Sequence, residues 1–238
     1  MEINMNKITV TWLGHSTFLM TTPEGKKILI DPWVQNNPAC PASLKNLPPL
    51  DLILITHGHF DHIGDCVAIA KEHKPKVIGI YEVCHWLGSK GVERCAPMNK
   101  GGTQKAGEIK ITMTHALHSC GIQEGDKIIY GGEAAGYVLQ FSNGRIFYHS
   151  GDTAVFGDMA LIAKLYKPDT AFLPIGDCFT MSPKEAAEAC RLLQIPQVIP
   201  MHHGTFPLLT GTPAALRELL SETKTKVVEF KPGETREV

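Results

Sequence analysis

Thr56-His57-Gly58-His59-Phe60-Asp61-His62 follows directly on the apolar run Leu52-Ile53-Leu54-Ile55. Three imidazoles and one carboxylate fall between positions 57 and 62, and neutral imidazole nitrogens with carboxylate oxygens are the usual ligands of zinc and its first-row neighbours. A polar turn with unrelated histidines is the plain alternative, but ordinary histidines occur singly and are satisfied by one or two hydrogen bonds. The stretch therefore reads as a metal site at the end of a strand.

Working outward, strand 51–55 opens an alternation of strands and helices: the His-rich loop, a helix near 63–73, a strand at 76–80 and a helix near 82–90. Such alternation marks an α/β layered fold. Upstream, Lys7 to Leu13 alternates apolar and polar residues with the period of a half-buried strand. Strands at 17–21 and 27–30, joined by Pro23-Glu24-Gly25-Lys26, complete a meander that ends at Asp31-Pro32. Residues 32–50 carry five prolines without periodicity and read as a functional loop able to line a pocket. Downstream of the glycines at 101, 102 and 107, strand-like runs at 108–114, 127–131, 135–141 and 144–149 form a second meander. A helix near 157–166 and a strand at 170–173 follow. Ser182-Pro183-Lys184-Glu185 is a capping box opening a helix to about Leu193. Strand 197–200, a helix from Thr212 to about Thr223 and a strand at 226–230 close the chain. The two halves, roughly 1–100 and 101–238, share one plan, and two β-then-α halves packed sheet on sheet give a single α/β domain, a four-layer αββα sandwich.

Further candidate ligands also sit just past strands: His118 after 108–114, Asp152 after 144–149, and His202, beside His203, after 197–200. Sites in α/β folds assemble from loops at the C-terminal edge of a sheet, so these residues can converge on the first cluster.

Composition limits what such a site acts on. A formal net charge of -1 and the absence of any Lys/Arg run argue against nonspecific nucleic-acid or membrane-surface binding, leaving a small-molecule substrate. The stretch from Met1 to Thr11 lacks the regions of a signal peptide and no apolar run approaches a membrane span, which points to the cytoplasm. Seven scattered cysteines without a C-x-x-C pair read as reduced thiols. A homo-oligomer is compatible with this composition.

His57-x-His59-x-Asp61-His62, then His118, Asp152 and a histidine near 202, resemble the ordered ligand set of the metallo-β-lactamase superfamily, whose fold is the αββα sandwich. More narrowly, four motifs are similar to the bacterial metal-dependent hydrolase branch close to ascorbate-6-phosphate lactonase: Trp12-Leu13-Gly14-His15-Ser16, the segment from Gly151-Asp152-Thr153 to Met159, the segment from Pro174-Ile175-Gly176-Asp177 to Met181, and Pro200-Met201-His202 with Thr205-Phe206. In that branch the ligand is the first histidine after Pro-Met and the next position is commonly Tyr, which favours His202 and leaves His203 as a pocket residue or bystander. The resemblance implies a first metal on His57, His59 and His118, a second on Asp61, His62 and His202, and Asp152 bridging. Two divalent ions, zinc or manganese, would hold a bridging hydroxide that attacks an electrophilic centre, with Asp61 as ligand and proton acceptor. His15 is either structural or a substrate or ligand contact.

Three functions fit this reading: hydrolysis of a small ester, lactone or phosphoester; a redox diiron protein, which would normally carry Glu in place of His59; and a non-catalytic metal-binding domain. The intact ligand set favours the hydrolase. Within four residues of His57, His118, Asp152 and His202 there is no Arg or Lys to clamp a phosphodiester. A lactone or ester is therefore expected over a phosphodiester, unless Lys45 or a second subunit reaches the pocket.

Overall fold

In the computed structural model, which describes residues 7–238, the alternating stretch after Lys7 becomes the first strand of a seven-stranded mixed sheet. Its members are β1 (Thr9–Trp12), β2 (Phe18–Thr21), β3 (Lys27–Ile30), β4 (Leu52–Leu54), β5 (Lys76–Ile80) and β6 (Cys95–Met98). A second seven-stranded sheet holds β7 (Thr103–Ala106), β8 (Ile109–His115), β11 (Ala135–Gln140), β12 (Ile146–His149), β13 (Thr170–Pro174), β14 (Gln197–Met201) and β15 (Lys226–Val227). Between β8 and β11 the chain forms a separate antiparallel hairpin, β9 (Gly121–Glu124) and β10 (Lys127–Tyr130). The final strand, β16 (Thr235–Glu237), returns to the first sheet and pairs with β1, so the expected division near residue 100 does not hold for the chain's last strand. Met1 to Asn6, part of the stretch read as lacking a leader, lie outside the described residues.

The sheets face each other across one apolar layer. Phe18 of β2 meets Phe172 of β13 edge to face at a centroid distance of 4.9 Å, and the Tyr137 hydroxyl crosses to donate to the Ile55 carbonyl at 2.6 Å. A second apolar cluster joins the outer face of the second sheet to its helices α4 (Met159–Tyr166), α5 (Pro183–Leu193) and α6 (Pro213–Leu219), with Cys190 buried in it. Helices α2 (Cys66–His73) and α3 (Tyr81–Ser89) turn Ile69, Ala70, Val83 and Leu87 into the core of the first sheet. The result is a four-layer αββα sandwich. The capping box at the start of α5 forms as its sequence requires, with Ser182 Oγ accepting from Glu185 N and Glu185 Oε2 accepting from Ser182 N.

Several local expectations differ. The helix expected at 63–73 is two: a single turn, α1 (Phe60–Ile63), and α2, broken at Gly64-Asp65. Asp65 does not cap α2 with its side chain, because its Oδ2 instead accepts the backbone N–H groups of Val34 and Gln35. The run at 127–131 pairs with β9 and not with the second meander. Strands β6, β7, β9 and β16 were not anticipated; β6, β7 and β16 lie on sheet edges and β9 in a two-stranded hairpin, where one side faces solvent and no clean apolar alternation is needed. Among the described residues no helix is long and apolar enough to cross a membrane.

Strand direction is what positions the site. β1 and β3 are both antiparallel to β2, and β4 is parallel to β3. In the second sheet β8 and β12 are both antiparallel to β11, and β13 and β14 continue parallel to β12. β1, β3 and β4 therefore end at one edge of the first sheet, as β8, β12 and β14 do in the second, and the two edges adjoin.

Candidate metal centre

The six strand ends deliver His15 after β1, Asp31 after β3, the His57–His62 loop after β4, His118 after β8, Asp152 after β12 and His202 after β14. Local backbone geometry supports this convergence. Gly151, at φ 62°, lets the chain pass so close that a Cβ there would lie 2.6 Å from the Ala135 carbonyl oxygen and 2.8 Å from Thr56 Cβ. His15, Asp31 and His202 also take left-handed φ values of 57°, 50° and 54°. For non-glycine residues this costs on the order of 1 kcal/mol each and persists where surrounding contacts over-determine it. One such contact is the His202 N–H donating to the His15 carbonyl at 3.0 Å, a link between the two sheets.

Ligand-type atoms fall into two triplets with Asp152 between them. His57 Nε2 lies 3.0 Å and His118 Nε2 lies 3.3 Å from His59 Nδ1, spacings near the roughly 3.3 Å that separates two nitrogens on one tetrahedral ion with bonds of about 2.0 Å. On the other side Asp61 Oδ2 lies 3.7 Å from His202 Nε2 and 4.0 Å from His62 Nε2. Asp152 Oδ2 is 3.0 Å from His202 Nε2, 3.2 Å from His62 Nε2, 3.8 Å from His118 Nε2 and 3.9 Å from His57 Nε2. The buried atoms Asp152 Oδ1 and His62 Nε2 have no hydrogen-bond partner. Buried polar atoms are seldom left unsatisfied, and here a divalent cation is the partner that fits the donor set.

Residues behind the triplets fix their tautomers. The Thr56 hydroxyl donates to Asp31 Oδ2 at 2.8 Å and therefore accepts from His57 Nδ1 at 3.0 Å. His62 Nδ1 donates to the same Asp31 oxygen at 2.8 Å. Both rings thus keep a proton on Nδ1 and turn Nε2 inward as the atom a metal would take, the arrangement common behind metal-binding histidines. His59 Nε2 lies 3.2 Å from Ser119 Oγ, leaving Nδ1 for the cluster. Asp31 went unrecognised in the sequence, where Asp31-Pro32 reads as a strand terminator; its place beside β4 in a parallel pair was the available signal.

His15 lies behind Asp61: its Nε2 is 3.0 Å from Asp61 Oδ2 and its Nδ1 3.1 Å from Thr205 Oγ1. Burial pulls the His15 pKa down to about 4, only partly offset by the bond to Asp61. The ring is therefore neutral near pH 7, with one proton to donate to Asp61. Burial pushes the Asp61 carboxyl up, but His62 and hydrogen bonds from His15 and His202 outweigh it and hold it well below the carboxylate range. Burial likewise opposes protonation of His202, yet Asp152 raises it to about 9, and His62 is raised by Asp152, Asp31 and Asp61. His57, His59 and His118 are lowered, chiefly by burial. His203 stands apart, packed on Trp12 at a centroid distance of 5.1 Å, and burial lowers it to about 4.

The centre forms the floor of an open cleft of about 760 Å³. Ser119, Gly121, Gln123 and Ile128 line one side, Phe60, Phe179, Phe206, Pro207 and Leu208 the rest, and none of the described lining residues is Lys or Arg. The 32–50 loop does not line it. Trp33 instead packs under His15 and Phe206, while the Lys45 ammonium is turned to the Gln35 carbonyl at 2.6 Å.

Comparison with known proteins agrees with this geometry. Residues 26–203 match the β-lactamase superfamily domain. The chain is 55% identical over 233 residues to a UPF0173 metal-dependent hydrolase of Koribacter versatilis, covering 98% of this chain and 99% of that one. It is 58% identical over 224 residues to a UPF0173 metal-dependent hydrolase of Solibacter usitatus, covering 94% and 97%. Among solved structures it is similar to Igni18, a metallo hydrolase from the archaeon Ignicoccus hospitalis, with a TM-score of 0.85, 36% identity and 98% coverage of both chains. Strand order, converging histidines and aspartates, and close relatives together make this chain a member of the β-lactamase superfamily, a metal-dependent hydrolase of the metallo-β-lactamase fold.

Proposed function

We propose that the protein hydrolyses a small, uncharged ester or lactone with two divalent ions, zinc or manganese being best suited to mixed imidazole and carboxylate ligation. His57, His59 and His118 would hold one ion, Asp61, His62 and His202 the other, and Asp152 would bridge them, within reach of histidines from both triplets. The chemistry such ions supply when bound is a water acidified from about 16 towards neutrality and a polarised carbonyl.

The chain's own groups do the rest. Asp61 lines the cleft, ionised and oriented by neutral His15, and is placed to accept the proton released as water adds to the carbonyl. Ser119 accepts from His59, so its hydroxyl proton can turn to a substrate oxygen, and Gln123 offers a second neutral donor on the same wall.

The observation that carries the choice of substrate is the lining. A phosphodiester brings a fixed negative charge that Arg or Lys usually clamps, and the described lining residues supply neither. Comparing kcat/KM for a simple lactone and a bis-aryl phosphodiester on one metal-loaded preparation tests the proposal. The lactone should be preferred; a tenfold preference for the phosphodiester, about 1.4 kcal/mol of transition-state stabilisation, would overturn it.

A further inference from the structure

Ten large apolar side chains among the described residues are conspicuously exposed, and four of them, Phe60, Ile128, Phe179 and Leu208, line the cleft above the metal centre. Singly exposed apolar residues need no explanation, whereas several converging on one concavity mark a binding surface. They come from separate elements: Phe60 from α1 within the His-rich stretch, Ile128 from the β9–β10 hairpin, Phe179 from the loop after β13 and Leu208 from the loop after β14. Ile128 is 81% exposed, yet it sits over Gly121, where a Cβ would lie 2.6 Å from its Cγ2. Glycine at 121 leaves the room in which the isoleucine lies against the strand that forms this wall.

We propose that these four residues form a tail site, and that the substrate is an uncharged ester or lactone carrying a hydrocarbon chain of several carbons. The inference rests on the hydrolase reading for the reacting end but on independent observations for the tail. The neutral polar group beside the centre is Ser119, 3.2 Å from His59, and apart from Gln123 on the hairpin the remaining wall is apolar and without a described Lys or Arg. A charged or sugar-like extension would leave its polar groups unpaired against that wall. A hydrocarbon chain would bury there and cover Ile128 and Leu208. The same apolar rim could instead meet a second copy of the chain, and the test separates the two.

The probes are straight-chain alkyl hydroxamates of two to eight carbons, whose head group binds metal without being hydrolysed, and p-nitrophenyl esters of the same lengths, both on the metal-loaded full chain. Full burial of a methylene gives roughly fourfold in affinity, so a cleft open on one side should give roughly twofold. Hydroxamate Kd should fall by about 60-fold across the series, and ester kcat/KM should rise in parallel. Ile128→Ser and Leu208→Ser should each flatten both slopes, whereas Leu219→Ser, at an exposed leucine on α6 outside the cleft, should leave them unchanged. Steep hydroxamate binding with no ester or lactone turnover would sink the hydrolase reading and keep the tail site. Turnover with flat slopes, or steep slopes indifferent to Ile128→Ser and Leu208→Ser, would overturn the tail site. So would a dimer that Ile128→Ser dissociates in sedimentation without altering chain-length selectivity.

Discussion

Asp31 Oδ2 lies 2.8 Å from His62 Nδ1, and through the Thr56 hydroxyl the same oxygen also reaches His57. One buried carboxylate therefore sets the tautomer of a histidine in each triplet. Asp31→Asn keeps the size but removes the charge and one acceptor. Partners of this kind are worth 10- to 100-fold in metal affinity, so chelator competition should show weakening in that range for both ions, with far-UV circular dichroism unchanged. An effect confined to one ion would mean that the Thr56 relay does not transmit to His57.

The neighbours His202 and His203 should separate cleanly. His202 is buried against Asp152 and Asp61, while His203 packs on Trp12. His202→Ala should lower bound metal, read by elemental analysis, and abolish turnover. His203→Ala should leave metal stoichiometry intact and cost about 1–2 kcal/mol of stability through lost packing. The reverse pattern would move the ligand to His203.

His15→Ala removes the donor to Asp61 and the ring packed on His202 at 3.9 Å, but none of the residues assigned to either triplet. Metal content should persist while kcat falls by about 10- to 100-fold, the scale for a partner that orients a ligand. Unchanged kcat would assign His15 a purely structural role.

Between pH 6.5 and 9 the metal-free protein should lose stability while the metal-loaded protein does not. In the metal-free protein His202 is raised from 6.5 to about 9, so the stability it contributes is complete below pH 6.5 and is lost as pH rises through 9. Metal requires the neutral ring and must displace that proton, so its affinity grows over the same interval. The gap in Tm between manganese-loaded and metal-free protein should widen from pH 6.5 to about 9 and then level, by up to about 3 kcal/mol for one proton. A gap constant across that range would show that His202 is not protonated in the metal-free state.

The sequence announced residues whose chemistry is dense and local. Three imidazoles within six positions after an apolar strand left few readings, and the Ser182–Glu185 box specified its own geometry. His118, Asp152 and His202 were legible because each follows a strand, although only the common strand direction brings them together. What stayed hidden depends on partners distant in the chain. Asp31 becomes significant when β3 pairs in parallel with β4, 21 residues or more away; Asp65 leaves its helix cap for Val34 and Gln35; and the apolar cleft wall gathers residues from four separate elements, none of which forms a pattern by itself.

Cys120 joins the metal loop to the hairpin wall: its thiol accepts from Gly58 N at 3.3 Å and donates to the Gly131 carbonyl at 3.1 Å. Burial pushes its pKa up to about 11, so the proton needed for that second bond stays on sulfur near neutrality. Cys120→Ala would strand the Gly58 N–H, at a cost of about 1–3 kcal/mol, and should lower Tm by roughly 2–12 °C in a chain of this size. Serine, which keeps both bonding capacities, should recover part of that loss in a thermal melt; no difference between the two variants would show that packing alone matters there.

The pairing of β16 with β1 sets an order on synthesis. Residues 9–12 leave the ribosome more than 220 residues ahead of the strand that seals their outer edge. Until then the nascent sheet carries an open row of backbone N–H and C=O groups, the kind of edge along which chains pair with one another. Removing residues 235–238 should accordingly shift the protein from clean monomer or oligomer peaks to aggregates on refolding, even though every metal-binding side chain is still present.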